Sequence, residues 1–345
     1  MSIQISVVVP SYNEEAVLPE TIRRLIRLFN DLILKDKIST ESRIIFVDDG
    51  SRDRTWQIVC ESAESASVVS GIKLSRNRGH QCALIAGLFR APGDAVISID
   101  ADLQDDLGAI ERMIDAFAAG ADVVYGVRAE RKADTFLKRF TAEAYYRLLD
   151  RLGVEVIFNH ADYRLLSRRA VEALRKFEES NLFLRAIIPQ LGFPSAVVRY
   201  DRAERFAGES KYPLRKMLAL AWQGITSFSA APLRAITGIG VVISLGSFVV
   251  VLWALWVRFF GDSSVPGWAS TVVPLYFLGG VQLLCIGIIG EYLAKIYSET
   301  KRRPRFLIES EVNVDGTSSP RISRPTADIV AEDYSGASAR RGCSV

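Results

Sequence analysis

The densest chemistry in the chain lies in one short run, Asp100-Ala101-Asp102-Leu103-Gln104-Asp105-Asp106. Four carboxylates in seven residues repel one another in a bare loop. A divalent cation such as Mg2+ or Mn2+ resolves that repulsion, because hard cations take oxygen ligands and share them with substrate phosphates. A plainer reading is an acidic cap on a helix starting near Leu107, where the macrodipole favours negative charge. That cap accounts for Asp105 and Asp106 but poorly for Asp100 and Asp102, which close a strand. Two other polar clusters stand at strand ends, Pro10-Ser11-Tyr12-Asn13-Glu14-Glu15 and Asp48-Asp49-Gly50-Ser51. A carboxylate just past a strand end can accept hydrogen bonds from a base N–H or from ribose hydroxyls. Gly50 lets the chain turn away without a side chain blocking the ligand. Asp-Gly-Ser is also an ordinary turn and helix cap, and it is the pair of such ends on one sheet edge that argues for a site. The chain has no GxxxxGK[ST] and no GxGxxG after its first strand, which disfavours the two commonest glycine-loop nucleotide sites.

The elements that must position these residues follow from periodicity. Short β-branched runs at residues 5–9, 43–47, 72–74, 95–99 and 122–127 alternate with helical stretches at 16–34, 55–64, 81–89 and 107–119. This alternation predicts an α/β fold, a doubly wound and mostly parallel sheet. Ligands collect at the carboxyl ends of such strands, where the polar clusters sit. Beyond residue 134 the pattern loosens, with a helix expected at 135–152 and strands at 162–166 and 195–200.

The chain has 345 residues, 49% hydrophobic and 24% charged, with a net charge of +3. Its mean hydropathy is +0.16 and its pI about 8.6. Wholesale disorder and a small disulfide scaffold are excluded, and the charge is too weak to argue for nucleic acid. Four cysteines show no CxxC or paired spacing. The start of the chain reads as a strand rather than a signal peptide. The apolar excess is local: residues 235–257 and 263–290 carry no charge, and the second stretch is strongly apolar from about 271. Each is long enough for a hydrocarbon core about 30 Å thick, which needs about 20 helical residues. Arg234, Lys295, Lys301, Arg302, Arg303 and Arg305 flank the pair on one side, so positive-inside bias puts both termini in the cytoplasm at the inner membrane. The expected organisation is a catalytic domain over 1–212, an interfacial amphipathic region over 213–233 and a two-span membrane unit over 234–296, with spans near 235–257 and 271–292. A juxtamembrane segment at 297–310 and a disordered tail at 311–345 complete it. Gly279-Gly280, Gly287 and Gly290 permit close helix packing, within one chain or in a homo-oligomer. Two widely separated histidines, His80 and His160, offer no His-based metal site.

Together with Ser75-Arg76-Asn77-Arg78-Gly79, these segments resemble the inverting family 2 glycosyltransferases of the GT-A, Rossmann-like fold. The two spans and Phe206-Ala207-Gly208-Glu209-Ser210-Lys211-Tyr212 narrow the likeness to polyprenyl-phosphate glycosyltransferases, among them dolichyl-phosphate mannose synthase and the bactoprenol glucosyltransferases. It covers roughly residues 4–308. The resemblance implies that Pro10, Tyr12, Asn13, Glu14, Asp48, Asp49, Gly50, Ser51, Asn77, Asp100 and Ala101 bind a nucleotide sugar, with UDP-glucose the first expectation. Asp100, Asp102 and Gln104 would organise Mg2+ or Mn2+ and the diphosphate, with Asp102 also counted as catalytic. Asn159-His160-Ala161-Asp162-Tyr163-Arg164 would sit near the reacting carbon, with Asp162 as base or orienting group. Arg128, Arg202, Arg205, Ser210 and Lys211 are candidates for the acceptor lipid phosphate. Asp106 replaces a proline common in relatives, and His160 and Ala161 stand where Thr and Gly are expected. A processive polysaccharide synthase would be expected to carry a Gln-x-x-Arg-Trp-type motif and more spans. A catalytically silent nucleotide-sugar-binding partner would have no need to hold four carboxylates together. Any flipping of the product requires a separate protein.

Overall fold

A computed structural model describes residues 2–128, 160–179, 184–201, 231–260 and 268–314. An eight-stranded mixed sheet is its centre, in the order β7-β5-β6-β4-β1-β2-β3-β8. The parallel part comprises β1 (Ile5–Ser11), β2 (Arg43–Asp48), β3 (Val69–Leu74) and β4 (Ala95–Ser98). These strands are linked through α1 (Leu18–Leu34), α2 (Thr55–Ser65) and α3 (His80–Arg90). After α4 (Ala109–Ala118) come β5 (Val123–Arg128) and β6 (His160–Ser167), and β6 is inserted antiparallel between β4 and β5. Two short helices missing from the sequence reading follow, α5 (Arg168–Arg175) and α6 (Leu184–Gln190). Then β7 (Ser195–Tyr200) pairs parallel with β5.

Alternation along the strands explains the layers. In β1, Ile5, Val7 and Val9 enter one core with Leu25 and Phe29 of α1, while Val8 enters the other with Leu84 and Leu88 of α3. Both faces are therefore apolar and covered, as a parallel sheet requires. Gly87 is needed where α3 lies on the sheet, since a Cβ there would come within 2.3 Å of Val8 Cγ1.

Two long helices follow, α7 (Ala231–Phe260) and α8 (Trp268–Thr300). Large apolar side chains such as Val242, Phe248, Trp253, Leu283 and Ile286 point outward from them. Among the described residues one stretch, Leu278–Thr300, is long and apolar enough to cross a membrane, where the sequence led us to expect two. The interfacial region, the 135–152 helix and Arg202, Arg205, Ser210 and Lys211 lie outside the described residues.

The end of the chain corrects the expected organisation. Residues 308–312 are neither juxtamembrane linker nor tail: they form β8 (Ile308–Val312), antiparallel to β3 at the sheet edge. Val312 is buried against Gly71, and Asn313 closes the strand, its Nδ2 donating to Ala63 O at 2.7 Å. Lys73 and Arg90 pair with Glu309 and Glu311 at 3.2 Å each. The sheet domain is thus completed by residues from beyond the apolar helices.

Candidate active site

The loops after β1 and β2 clasp each other. Asn13, at φ +55°, receives a hydrogen bond at its Oδ1 from Arg52 N, and its own N–H donates to Ser51 Oγ, both at 2.9 Å. Glu14 N donates to Thr55 Oγ1 at 2.9 Å and Arg54 N to Glu15 Oε2 at 3.1 Å. Pro10 and Ser11 are buried beneath this clasp, while Tyr12 stays 41% exposed above it. A flat aromatic surface is therefore open beside two interlocked loops.

Asp48 and Asp49 face opposite sides of the sheet. Asp48 is fully buried: one oxygen accepts from Ser51 N at 3.1 Å, the other has no hydrogen-bond partner, and burial pushes its carboxyl up. Asp49 accepts from Arg78 N at 2.7 Å and Gly79 N at 2.8 Å, which pins the loop over residues 75–79 to β2. Its carboxyl is also raised by burial, against the pull of these two bonds. Gly50 is required here by a close approach. At φ +70°, a Cβ there would meet Arg76 C at 2.6 Å and Asn77 N at 2.7 Å. The 75–79 loop fills the space on that side of Gly50.

The acidic run divides in two. Asp105 is buried and accepts from Tyr200 Oη at 2.6 Å, and Asp106 accepts from Gly108 N at 2.8 Å and Arg112 Nη2 at 3.2 Å. These two hold β7 and cap α4. Asp100 and Asp102 instead follow the end of β4, with Ala101 buried between them and its carbonyl accepting from Thr21 Oγ1 of α1 at 2.8 Å. Leu103 takes φ +56°, and Gln104 N donates to Asp102 Oδ1 at 3.2 Å. Burial pushes the Asp100 carboxyl up to about 6; His80 opposes this, and Asp105, Asp162 and Asp102 add to it. Asp105, Asp162 and Asp102 thus all lie within electrostatic reach of Asp100.

Strand β6 brings the fourth group. Its antiparallel register pairs Ser98 with Arg164, so two residues further Asp162 comes beside Asp100. Asp162 accepts from Arg185 Nε at 3.3 Å and Nη2 at 3.2 Å, from α6, and is also paired with the buried Arg164. Burial would raise its carboxyl, but Arg164 and Arg185 outweigh it and hold the group well below the usual carboxylate range. His80, the first residue of α3, places Nε2 3.6 Å from Asp100 Oδ1 and 3.7 Å from Asp162 Oδ2.

Residues 6–175 match the family model described as glycosyl transferase family 2. The chain is 49% identical over 310 residues to YkoT, an uncharacterized glycosyltransferase of Bacillus subtilis (strain 168), covering 89% of this chain and 92% of that one. The chain belongs to glycosyltransferase family 2. The glycosyltransferase is also 43% identical over 308 residues to the bactoprenol glucosyl transferase of Shigella phage SfX, covering 89% of this chain and 99% of the relative. Among solved structures, glucosyl-3-phosphoglycerate synthase from Mycobacterium tuberculosis aligns at 20% identity and a TM-score of 0.43, over 65% of this chain and 76% of that one.

In this glycosyltransferase the residues expected to bind the nucleotide sugar and a metal stand at the carboxyl ends of β1, β2, β3 and β4, with Asp162 near the start of β6. Asn77 is exposed on the loop that Asp49 pins. Arg128 closes β5, in register with Tyr200 of β7. Among the described residues no three His, Cys, Asp or Glu side chains converge at metal-binding distance. Two carboxylates and a glutamine, Asp100, Asp102 and Gln104, still suit Mg2+ or Mn2+, which are usually held by one or two carboxylates plus substrate phosphates. His80 and Arg185 were missed. Arg185 carries no local signal, because a helix far along the chain supplies it. His80 stands one residue before the helix expected from residue 81, and its isolation in the sequence argued against a role.

Proposed function

We propose that this glycosyltransferase moves a hexose, glucose first, from a nucleoside diphosphate sugar to a polyprenyl phosphate at the cytoplasmic face of a membrane. The observation that carries the reading is the meeting of Asp100 with Asp162 around His80, at the strand ends that also carry Asp102, the Asn13 loop and Asp49. The bactoprenol relatives supply the acceptor and the sugar. The outward-facing apolar residues of α7 and α8 suit a two-span anchor that brings the site to a lipid.

On this reading the exposed Tyr12 ring and the interlocked loops hold the nucleotide, with Asp48, Asp49, Gly50, Ser51 and Asn77 shaping the wall. A divalent cation held by Asp100, Asp102 and Gln104 supplies neutralisation of the charge that builds on the departing diphosphate. A lipid phosphate oxygen attacks the anomeric carbon from the opposite face. The new C–O bond forms as the bond to the diphosphate breaks, and the centre inverts. No proton has to be removed, because a phosphate monoester has a second pKa of about 6 and is largely dianionic at neutral pH. Asp162, ionised and gripped by two arginines, is suited to orienting the sugar and unsuited to abstracting a proton. Arg128, Arg202, Arg205, Ser210 and Lys211 are proposed to receive the lipid phosphate, guanidinium groups matching its oxygens bidentately.

The test is transfer of radiolabelled sugar from several nucleoside diphosphate sugars to undecaprenyl phosphate, with the full chain in mild detergent, with and without Mg2+. A metal-dependent lipid-linked product, strongest with UDP-glucose, is expected. Nucleotide binding with no lipid product from any donor refutes the transferase reading and favours a silent partner.

A further inference from the structure

We propose that His80 is a positioning residue of the transfer reaction: its imidazole Nε2 stands between Asp100 and Asp162 and holds the metal-side and sugar-side carboxylates in one geometry. The inference rests on the donor site proposed above. Its basis is the placement of Nε2, 3.6 Å from one carboxylate and 3.7 Å from the other. Both separations exceed a direct hydrogen bond but lie within the range where one N–H attracts two anions. Asp100 and Asp162 come from neighbouring antiparallel strands and repel each other across a narrow gap. A donor between them opposes that repulsion and fixes their separation.

The fold builds this placement from three directions. Asp49 accepts the N–H groups of Arg78 and Gly79, the two residues before His80. Gly50 lets β2 come into close approach with Arg76 and Asn77. Gln81, the residue after His80, accepts from Leu184 N of α6 at 3.2 Å through its Oε1. Arg185, one residue further along that helix, grips Asp162. The imidazole itself is 40% exposed, so it is not there to fill the core. A rigid loop that ends on a solvent-facing ring between two acids is organised around that ring.

The experiment compares wild type, His80→Ala and His80→Gln in the lipid-transfer assay, with thermal melting and Mn2+ binding followed by electron paramagnetic resonance. His80→Ala is expected to lower kcat about 10- to 100-fold, the loss typical of a displaced reacting group. KM for the nucleoside diphosphate sugar should stay within about 2-fold of wild type, since uniform binding is untouched. Glutamine, which keeps an N–H donor near the same place, should recover most of the rate. His80→Ala combined with Asp162→Asn should cost no more than Asp162→Asn alone, because the two act as a unit. A wild-type kcat in His80→Ala overturns the inference. So does a rate loss that tracks a fall in melting temperature without rescue by glutamine, or strictly additive losses in the double variant. If wild type itself makes no lipid-linked product, the parent reading has failed, and that outcome is distinct from the others.

Discussion

Replacing Asp162 by asparagine removes one charge from a site where two guanidinium groups converge. Arg164 is 1% exposed and pairs with Asp162, while Arg185 reaches it through Nε and Nη2 at 3.3 and 3.2 Å. Breaking a buried ion pair by removing one partner costs about 3–5 kcal/mol, because the other charge is left in a poor solvent. Asparagine keeps a carbonyl acceptor for one guanidinium, so about 3 kcal/mol is expected, the lower end of that range. For a domain of this size each kcal/mol moves the melting temperature by about 2–4 °C, which gives a fall of about 6–12 °C. The measurement is thermal melting followed by near-UV circular dichroism, beside transfer rates from pH 6 to pH 9. Because the arginines depress the carboxyl, the stability it supplies is present above its ordinary pKa of about 3.9 and is lost only as pH falls through the depressed folded value. Wild-type kcat should therefore show no titration of Asp162 between pH 6 and pH 9. Melting of the variant within 2 °C of wild type, a window set at about the smallest shift expected per kcal/mol, would refute the reasoning about the buried pair. A wild-type kcat that climbs through an Asp162-dependent pKa near 7 would restore its role as a base.

Gly50→Ala forces a Cβ to within 2.6 Å of the Arg76 carbonyl carbon at a φ of +70°. It should cost about 1–2 kcal/mol from the left-handed backbone alone and weaken nucleotide binding, both readable by calorimetry. Mn2+ affinity should fall about tenfold per pH unit below about 6, where a proton competes for Asp100, and Asp100→Asn should flatten that dependence. Titration of Mn2+ by electron paramagnetic resonance at pH 5 and pH 7.5 checks it. Val312→Asp buries a charge beside Gly71 and should destabilise the sheet domain by about 3 kcal/mol or more. Protection of β3 amides from hydrogen exchange would then drop.

Much of the fold was legible because its strands are short apolar runs that end in polar punctuation. Strand β7 falls where the alternation put it, and β1, β2, β4 and β5 differ by only a few terminal residues. Strand β3 was read too short: its start, Val69-Ser70-Gly71, mixes small and polar residues. Strand β8 escaped for a clearer reason. Its sequence, Ile-Glu-Ser-Glu-Val, has little apolar content, and its stability comes from an edge partner more than 230 residues earlier, β3, and from ion pairs to Lys73 and Arg90. No local pattern encodes such a partner. The polar clusters at the ends of β1, β2 and β4 were legible from punctuation, and the roles given to them came from the family resemblance. His80 and Arg185 were not singled out, because the acids they meet are brought close only by the register of β6 and the packing of α3 and α6.

The acidic run divides along the line its sequence suggested, Asp105 and Asp106 on one side and Asp100 and Asp102 on the other. Asp105 and Asp106 have the same side chain as Asp100 and Asp102, yet the first pair meets Tyr200, Gly108 and Arg112. Each contact supplies a donor, so their charge is spent on holding β7 and α4. Asp100 faces Asp162 across the β4–β6 register, and Asp162 already satisfies two arginines. Burial raises the Asp100 carboxyl, His80 opposes that rise, and Asp105, Asp162 and Asp102 add to it. An antiparallel strand inserted into a parallel sheet thus does two things. It supplies the second acid of the site, and with it the buried arginine that pairs with that acid. On the reading proposed above, Asp100 would help hold a divalent ion that balances the charge of a nucleoside diphosphate.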